Sequence, residues 1–336
     1  MAKANSIGIN MHVCIHHHTA LPIKTYGGVE RLVFWHMKEL IKFGHKVTFI
    51  GPAESQVTEY GIQHIPWSKK DNWQQLVPDN TDVIHQFFND DIKLDIPYLI
   101  NIGGNGFPGE KFDLNTVFVS KSHARNHGST SYVNNCLDME EYPAIYKEKE
   151  IKDIKNLLFL AKASWRVKNL KQSAKIARQT NKHLHICGGG SKLFGWHPLI
   201  HNHGMVGGQH KLDLMRECDA LLFAVRWHEP FGLAIIEAMT QGLPVFGSSF
   251  GSLPDLIVEG TGRTFYSHEE IIEYFNTTKD IYDREYIRNY ALKNFSMENF
   301  TNDFLEKYKI VISGEKLNKV APEWIHPFRA GKRLPF

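Results

Sequence analysis

Short apolar runs alternate with helix-length stretches along the whole chain, and this alternation constrains the fold more than any other feature. The clearest unit is a predicted strand at residues 6–14, a helix at 29–43 with helical spacing of its apolar side chains, and a strand at 46–51. Further strands are predicted at residues 82–88, 97–102 and 116–120. Strands that alternate with helices are typical of parallel sheets in α/β proteins.

A second cycle of the same kind follows a charged stretch at residues 141–156. Its predicted strands are 156–161, 183–187, 220–225 and 243–247, and its predicted helices are 170–180, 232–240 and 267–310. The chain has 336 residues, which fits two α/β domains of roughly 150 residues each. We therefore predict a first domain at residues 1–150, a second at 151–310, and a tail at 311–336 that packs back on the first domain.

Composition narrows the class of protein. A net charge of +3 is too small for a typical nucleic-acid-binding protein, so no nucleic-acid partner is expected. The four cysteines are scattered, as in a reduced cytoplasmic protein. No apolar stretch approaches the roughly 20 residues that span a bilayer. The tail, with Arg329, Lys332 and Arg333 near aromatic residues, either contacts an anionic membrane surface or packs on the first domain. We expect a cytoplasmic protein, free or peripheral to a membrane, of undetermined oligomeric state.

The most informative segment spans residues 226–247, RWHEPFGLAIIEAMTQGLPVFG. Glu229 ends a strand-to-helix loop, and Glu237 lies eight residues further on, inside the predicted helix. Backbone N–H groups and the positive helix end converge in such a loop and form a seat for phosphate. Gly232 has no side chain to keep a phosphate away from that backbone. Glu237 can accept hydrogen bonds from ribose hydroxyls, and Glu229 can accept them from a transferred sugar.

This segment resembles the E-x7-E signature of glycosyltransferase family 4. The resemblance implies the GT-B fold, with two Rossmann-like domains whose parallel sheets face each other across a cleft. The first of these would bind the acceptor and the second the nucleotide sugar. It also implies that Glu229, Phe231, Gly232 and Leu233 contact the sugar and phosphate, and that Glu237 contacts the ribose. The similarity extends over residues 7–310 and is stronger in the second half.

A second motif of the family, G-R-L-x-x-x-K-G, is similar to residues 161–169, AKASWRVKN. Lys168 corresponds to the lysine of the motif, and either Lys162 or Arg166 takes the place of its arginine. The chemistry needs two cations facing the leaving diphosphate, because charge develops there in the transition state.

Other positions are assigned by the same resemblance. Gly27 and Gly28 correspond to an N-terminal glycine loop that faces the diphosphate and the acceptor, and Met205 lies in a stretch whose backbone faces the base. Gly188 follows a predicted strand, and its glycine run is interpreted as a loop that passes close to the nucleotide. Glycine replaces the histidine that many members carry in the first domain, so His85 or one of the histidines at 16–18 is the candidate for an imidazole near the acceptor. The histidines at 16–18 and those at 197, 201 and 203 lack the ligand framework of a zinc site, so no metal is expected.

The resemblance thus implies a retaining, metal-independent hexosyltransferase that needs no cofactor. Its donor would be a nucleotide sugar, with UDP- or GDP-sugars expected, and its acceptor a carbohydrate or a lipid-linked glycan. Transfer would occur on the front face, with retention of the anomeric configuration. Two alternatives stay open: a nucleotide-sugar-binding pseudoenzyme, and another GT-B relative such as a phosphorylase or an epimerase.

Overall fold

The computed structural model describes residues 10–23, 27–144, 146, 148–189, 197–328 and 332–336. The first elements, in chain order, are β1 (His12–His16), α1 (Gly28–Lys42), β2 (Lys46–Gly51), β3 (Gln63–Pro66), β4 (Val83–Gln86), β5 (Tyr98–Ile102), β6 (Thr116–Phe118) and α2 (Lys121–Asn126). They are followed by β7 (Glu150–Ile151), β8 (Asn156–Leu160), α3 (Leu170–Gln179), β9 (His183–Cys187), β10 (Ile200–Asn202), α4 (Gly208–Glu217), β11 (Ala220–Phe223) and α5 (Leu233–Thr240). The last are β12 (Val245–Ser248), α6 (Leu253–Leu256), β13 (Gly262–Phe265), α7 (His268–Thr277), β14 (Tyr282–Asp283), α8 (Arg284–Asn294) and α9 (Met297–Ile312).

The strands form two six-stranded sheets with the same topology. Their orders are β3-β2-β1-β4-β5-β6 and β10-β9-β8-β11-β12-β13, and neighbouring strands in each run parallel. This is the strand order of the Rossmann fold, in which ligands bind at the carboxyl ends of the strands where the order reverses. The predicted fold class, α/β with two Rossmann-like parallel sheets, is confirmed.

The chain forms two compact units that interleave along the sequence. The first comprises residues 1–103, 111–118 and 297–322, and the second comprises residues 104–110, 119–296 and 323–336. These units do not coincide with the predicted ranges 1–150 and 151–310. The difference has a physical reason in α9, whose Phe300, Phe304 and Tyr308 are buried and pack against α1 and β5 of the first unit. The acceptor and donor roles of the two domains stay predictions.

Several element boundaries differ from those predicted. The first strand begins at His12, two residues after the first described position, and residues 6–9 of the predicted strand lie outside the described residues. The predicted helical region 267–310 contains three helices and the short strand β14. Three strands at sheet edges, β3, β10 and β13, and the helix α4 were not predicted. The edge strands are short and contain polar side chains, so they lack a recognisable apolar run.

The tail after α9 packs along both units in turn. The Asn318 side chain donates hydrogen bonds to the carbonyls of Leu114 and Thr116, at 3.0 and 2.9 Å, within the first unit. In the second unit, the backbone N–H of Leu334 donates to the carbonyl of Arg226 at 2.8 Å. Arg329 lies outside the described residues, whereas Lys332 and Arg333 are exposed. Among the helices that the structure describes, none combines the length and the apolar character that a membrane span requires.

His85 lies in the hydrophobic core of the first unit. Its side chain is fully buried, its ring stacks on Phe87 at 4.1 Å between ring centroids, and its Nδ1 lies 2.7 Å from the hydroxyl of Tyr308. The same hydroxyl lies 2.8 Å from Nε2 of His36, so two histidines and one tyrosine connect β4, α1 and α9. The prediction that His85 contributes an imidazole near the acceptor does not agree with this position, because a fully buried ring cannot contact an acceptor.

We expect this histidine pair to make the stability depend on pH. Burial lowers the pKa of His36 to about 3 and lowers that of His85 well below its usual value. The folded protein therefore keeps both rings neutral, while the unfolded chain binds protons below about pH 6.5. Each ring should then lower the free energy of unfolding by about 1 kcal/mol as the pH falls from 6.5 to 5.5, and have little effect above pH 7.

Urea denaturation of the wild type and of His85→Asn at pH 7.0 and 5.5 measures this effect. The variant should lose less stability on acidification than the wild type, by about 1 kcal/mol. An equal loss in the two proteins would contradict a neutral, buried His85.

Candidate functional site

The segment between β11 and α5 forms a tightly packed loop at the carboxyl edge of the second unit's sheet. Gly232, immediately before α5, has a φ of 88°, a left-handed conformation that favours glycine. A Cβ at this position would lie 3.0 Å from Cδ1 of Ile235 and 3.3 Å from Cγ of Glu229. The N-terminus of α5 therefore lies next to Glu229, and its predicted role as a seat for phosphate stays a prediction.

Hydrogen bonds from neighbouring loops fix this segment. The hydroxyl of Ser252 donates to the carbonyl of Phe231 at 2.6 Å, and its N–H donates to the carbonyl of Glu229 at 2.9 Å. The hydroxyl of Ser120 donates to the carbonyl of Pro230 at 2.6 Å. Such backbone contacts give a loop the rigidity that a preorganised site requires. Phe231 is buried and its ring packs near Phe295, so its side chain supports the loop from inside.

Glu229 and Lys168 form a buried ion pair. The Glu229 side chain is 7% exposed and that of Lys168 is 11% exposed, and Lys168 Nζ lies 2.6 Å from Glu229 Oε2. Nε1 of Trp227 donates to the same oxygen at 2.7 Å. The ammonium also lies 5.0 Å from the centroid of the Trp227 ring. The structure thus brings together two predicted site residues, a carboxylate that can orient a sugar and a cation that can face a phosphate.

Lys168 reaches this position through a single turn of 3-10 helix, Arg166–Lys168, after β8. The turn ends at Asn169, which has a φ of 61° and whose side chain donates to the carbonyl of Ala224 at 2.8 Å. Asparagine tolerates this left-handed conformation better than most side chains, which explains how it can stand where the resembling motif has glycine.

Lys162 and Arg166, the two candidates for the second cation, are both exposed. Nζ of Lys162 lies 5.8 Å from the ring centroid of Trp165, which is 48% exposed and packs edge-to-face against Trp227. Lys162 thus contacts Trp165, Trp165 contacts Trp227, and Trp227 donates a hydrogen bond to Glu229. Which of the two cations faces a diphosphate stays a prediction.

Glu237 also forms a buried ion pair, and its partners were missed in the sequence. Its Oε1 accepts a hydrogen bond from the Tyr142 hydroxyl at 2.5 Å and another from Lys211 Nζ at 2.8 Å. Lys211 lies on α4, which was not predicted as a helix, and Tyr142 lies in the charged stretch that was interpreted as a junction. One signal was present in the sequence: Glu237 stands among apolar residues in the predicted helix, LAIIEAMT. A glutamate buried in this way requires a hydrogen-bond donor from elsewhere in the chain.

Gly188 and Met205 lie in adjacent loops next to β9 and β10. The N–H of Gly188 donates to the carbonyl of Gly204 at 2.8 Å, and the carbonyl of Gly188 accepts from the N–H of Ala163 at 2.8 Å. A Cβ on Gly188 would collide with the carbonyl of Ala161, so only glycine fits. Met205 is 57% exposed and borders Gly189. Gly190, the last residue of that glycine run, lies outside the described residues.

In the first unit, Gly27 immediately precedes α1 and Gly28 is its first residue. A Cβ on Gly27 would lie 2.5 Å from Cδ1 of Ile23 and 2.6 Å from Oε2 of Glu30. Both atoms are the far ends of flexible side chains, so they could shift to admit a small side chain at this position. The predicted contact of Gly27 with a diphosphate stays a prediction.

Several of the histidines at 16–18 and at 197, 201 and 203 contact other rings. His16 is buried and stacks on Trp73 at 4.6 Å between ring centroids. His183 and His185 of β9 stack on His201 of the edge strand β10 and on His203 just after it, at 5.1 and 5.3 Å between ring centroids. Burial and these neighbouring rings lower the pKa of His185 to about 4. These rings pack against each other and against aromatic side chains.

Residues 142–293 match the family model of glycosyl transferases group 1. This match includes Tyr142, Lys168, Lys211, Glu229 and Glu237. This part of the chain is therefore a glycosyl transferases group 1 domain.

Curated relatives match over shorter stretches. A probable sucrose-phosphate synthase of Thermosipho melanesiensis is 33% identical over 107 residues, which are 31% of this chain and 24% of that protein. An uncharacterized 41.2 kDa protein in the cps region of Klebsiella pneumoniae is 32% identical over 99 residues, which are 28% of this chain and 27% of that protein. The chain thus spans about a quarter of the length of these relatives.

Solved structures match over nearly the whole chain. AviGT4, a glycosyltransferase involved in avilamycin A biosynthesis, has a TM-score of 0.71 and 18% identity, and the match covers 90% of this chain and 98% of that one. Anabaena HepE, in complex with UDP and glucose, has a TM-score of 0.61 and 14% identity, with 89% and 100% of the two chains covered. At these identities the likeness shows the fold, which is the GT-B fold that the resemblance implied.

Proposed function

We propose that the protein is a retaining glycosyltransferase that transfers a sugar from a nucleotide sugar to a carbohydrate or lipid-linked acceptor without a metal ion. The observation that carries this proposal is the pair of buried, lysine-paired carboxylates, Glu229 and Glu237, which lie in the sequence on either side of Gly232, the residue immediately before α5. The group 1 domain supports glycosyl transfer, and the presence of UDP and glucose in the HepE complex supports a nucleotide-sugar donor.

In this proposal each feature has one chemical task. The N–H groups at the start of α5 and the Lys168 ammonium stabilise the negative charge that develops on the leaving diphosphate. Lys162 or Arg166 supplies a second cation. Glu229 accepts hydrogen bonds from the transferred sugar, and Glu237 accepts them from the ribose. The protein contributes positioning and electrostatic stabilisation, and no side chain forms a covalent bond with the sugar.

The acceptor hydroxyl would attack the anomeric carbon from the face that the diphosphate leaves. The bond from the anomeric carbon to the phosphate oxygen breaks as the new glycosidic bond forms, and the hydroxyl proton passes to the leaving diphosphate. The configuration at the anomeric carbon is therefore retained.

A screen of UDP-, GDP- and ADP-sugars tests this proposal. Binding should raise the melting temperature, since a ligand at 100 times its Kd adds about 2.7 kcal/mol of stability. With a sugar that binds, we expect slow hydrolysis or transfer that EDTA does not reduce, and a first-formed product whose anomeric proton in NMR shows the configuration of the donor. An inverted product would contradict the retaining mechanism.

The same screen separates the alternatives. Binding without turnover, with every acceptor class offered, would favour a nucleotide-sugar-binding pseudoenzyme. Release of a sugar phosphate would favour a phosphorylase, and conversion of the donor to its epimer would favour an epimerase. If no nucleotide sugar bound, the proposed function would be wrong.

A further inference from the structure

Three segments that are distant in the sequence meet at the Glu237 carboxylate. Tyr142 is 1% exposed, and Lys211 and Glu237 are each 9% exposed. The Tyr142 hydroxyl and Lys211 Nζ both donate to the same oxygen, Oε1, and Lys211 Nζ also lies 3.2 Å from the Tyr142 hydroxyl. The three polar groups therefore form a closed triangle.

The segment that carries Tyr142 is itself fixed to the end of α5. Nη1 of Arg288, on α8, donates to the carbonyl of Tyr142 at 2.9 Å and also to the carbonyl of Thr240. Nε2 of Gln241 donates to the carbonyl of Pro143 at 3.1 Å. Within the triangle, the Lys211 ammonium also lies 5.0 Å from the centroid of the Tyr142 ring. Tyr142 thus has a defined position relative to both charged groups.

The triangle has two physical consequences for Glu237. First, an ammonium at 2.8 Å compensates a carboxylate that would otherwise be costly to bury. Second, two donors on one oxygen fix the rotation of the carboxylate plane, which is a soft torsion in an unconstrained glutamate. A carboxylate with a fixed plane is preorganised for a ligand that donates two neighbouring hydroxyl groups, because it need not reorient on binding.

We propose that Lys211 and Tyr142 are positioning residues that orient Glu237 towards the 2′,3′-diol of a ribose and so make the donor site selective for ribonucleotides. This inference rests on the proposed function, in which Glu237 binds the ribose. Lys211 and Tyr142 act through Glu237, and their effect is specific to the diol. A deoxyribose offers only one of the two hydroxyls, so it gains little from the orientation.

The test compares ribo- and deoxyribonucleotides. The probes are UDP, GDP and ADP and their 2′- and 3′-deoxy forms, titrated by calorimetry into the wild type, Tyr142→Phe, Lys211→Met and Lys211→Arg. Lys171→Met, at an exposed position of α3, is the matched control. For the nucleotide that the wild type binds, we expect the Kd of the ribo form to be about 10-fold or more lower than that of the deoxy forms. This is the scale of one hydrogen bond to a charged group. The ratio of the deoxy Kd to the ribo Kd should fall to about 3-fold or less in Tyr142→Phe and Lys211→Met.

Lys211→Arg and the Lys171→Met control should keep most of the preference. A merely structural role would weaken binding of both nucleotide types equally and leave the ratio unchanged, and that result would overturn the inference. Should Lys211→Met fail to fold, Tyr142→Phe, which removes a single hydroxyl, decides the question. A wild type that transfers sugar but shows no ribose preference overturns this inference and leaves the proposed function intact. A wild type that binds no nucleotide overturns both.

Discussion

Replacement of Lys168 by alanine is expected to lower kcat by about 10²–10³-fold, the effect of removing one preorganised charge-stabilising donor. The Kd of the donor should rise much less, because the charge on the leaving diphosphate increases in the transition state. Steady-state kinetics with the sugar nucleotide identified by the binding screen, together with direct titration of the donor, separate the two effects.

Lys168 also compensates the buried Glu229 at 2.6 Å, so the variant must be checked for folding. Removing one partner of a buried ion pair can cost about 3–5 kcal/mol of stability. Lys168→Arg keeps the charge and should recover part of kcat, while Lys168→Met combined with Glu229→Gln removes both charges and should fold but stay inactive. Lys171→Ala, at an exposed lysine, is the control. A Lys168→Ala protein that folds and keeps kcat within about 3-fold of the wild type would exclude the proposed charge stabilisation.

Replacement of Glu237 by alanine is expected to raise the Kd of the nucleotide sugar by about 10²-fold or more. The reason is the loss of two hydrogen bonds from ribose hydroxyls to a charged acceptor, each worth about 1.5–3 kcal/mol. Glu237→Gln keeps one acceptor oxygen and should lie between the alanine variant and the wild type. Isothermal titration of the donor measures both variants.

The control for this prediction concerns Lys211, which loses its partner when Glu237 is removed. Glu237→Ala combined with Lys211→Met removes both charges and should restore stability but not affinity. If the double variant regained tight binding, the weak binding of the single variant would reflect a misplaced ammonium, and Glu237 would not be a ribose ligand.

The parts of the site that the sequence predicted are those encoded in one contiguous segment. Glu229, Gly232 and Glu237 are local to a strand-loop-helix unit, and the glycine has the left-handed conformation that the loop requires. Alternating apolar runs likewise predicted the central strands of both sheets, because those strands are buried on both faces.

The parts that were missed depend on contacts between distant segments. Lys211 and Tyr142 are 26 and 95 positions from Glu237, and no local pattern marks either of them. The sequence made His85 a candidate for an imidazole near the acceptor. Its hydrogen-bond partner Tyr308 is 223 positions away, in the range that the sequence placed in the second domain. A polar residue at a strand end has the same local sequence whether the chain buries it or exposes it. Only the tertiary packing of α9 decides between these outcomes.

A crystal structure with the nucleotide sugar selected by the binding screen tests the central claim most directly. The proposal predicts that the ribose hydroxyls lie within hydrogen-bond distance of Glu237 and that the diphosphate lies at the N–H groups of Gly232 and Leu233, with Lys168 alongside. A donor bound elsewhere in the second unit, with no contact to Glu229 or Glu237, would contradict it.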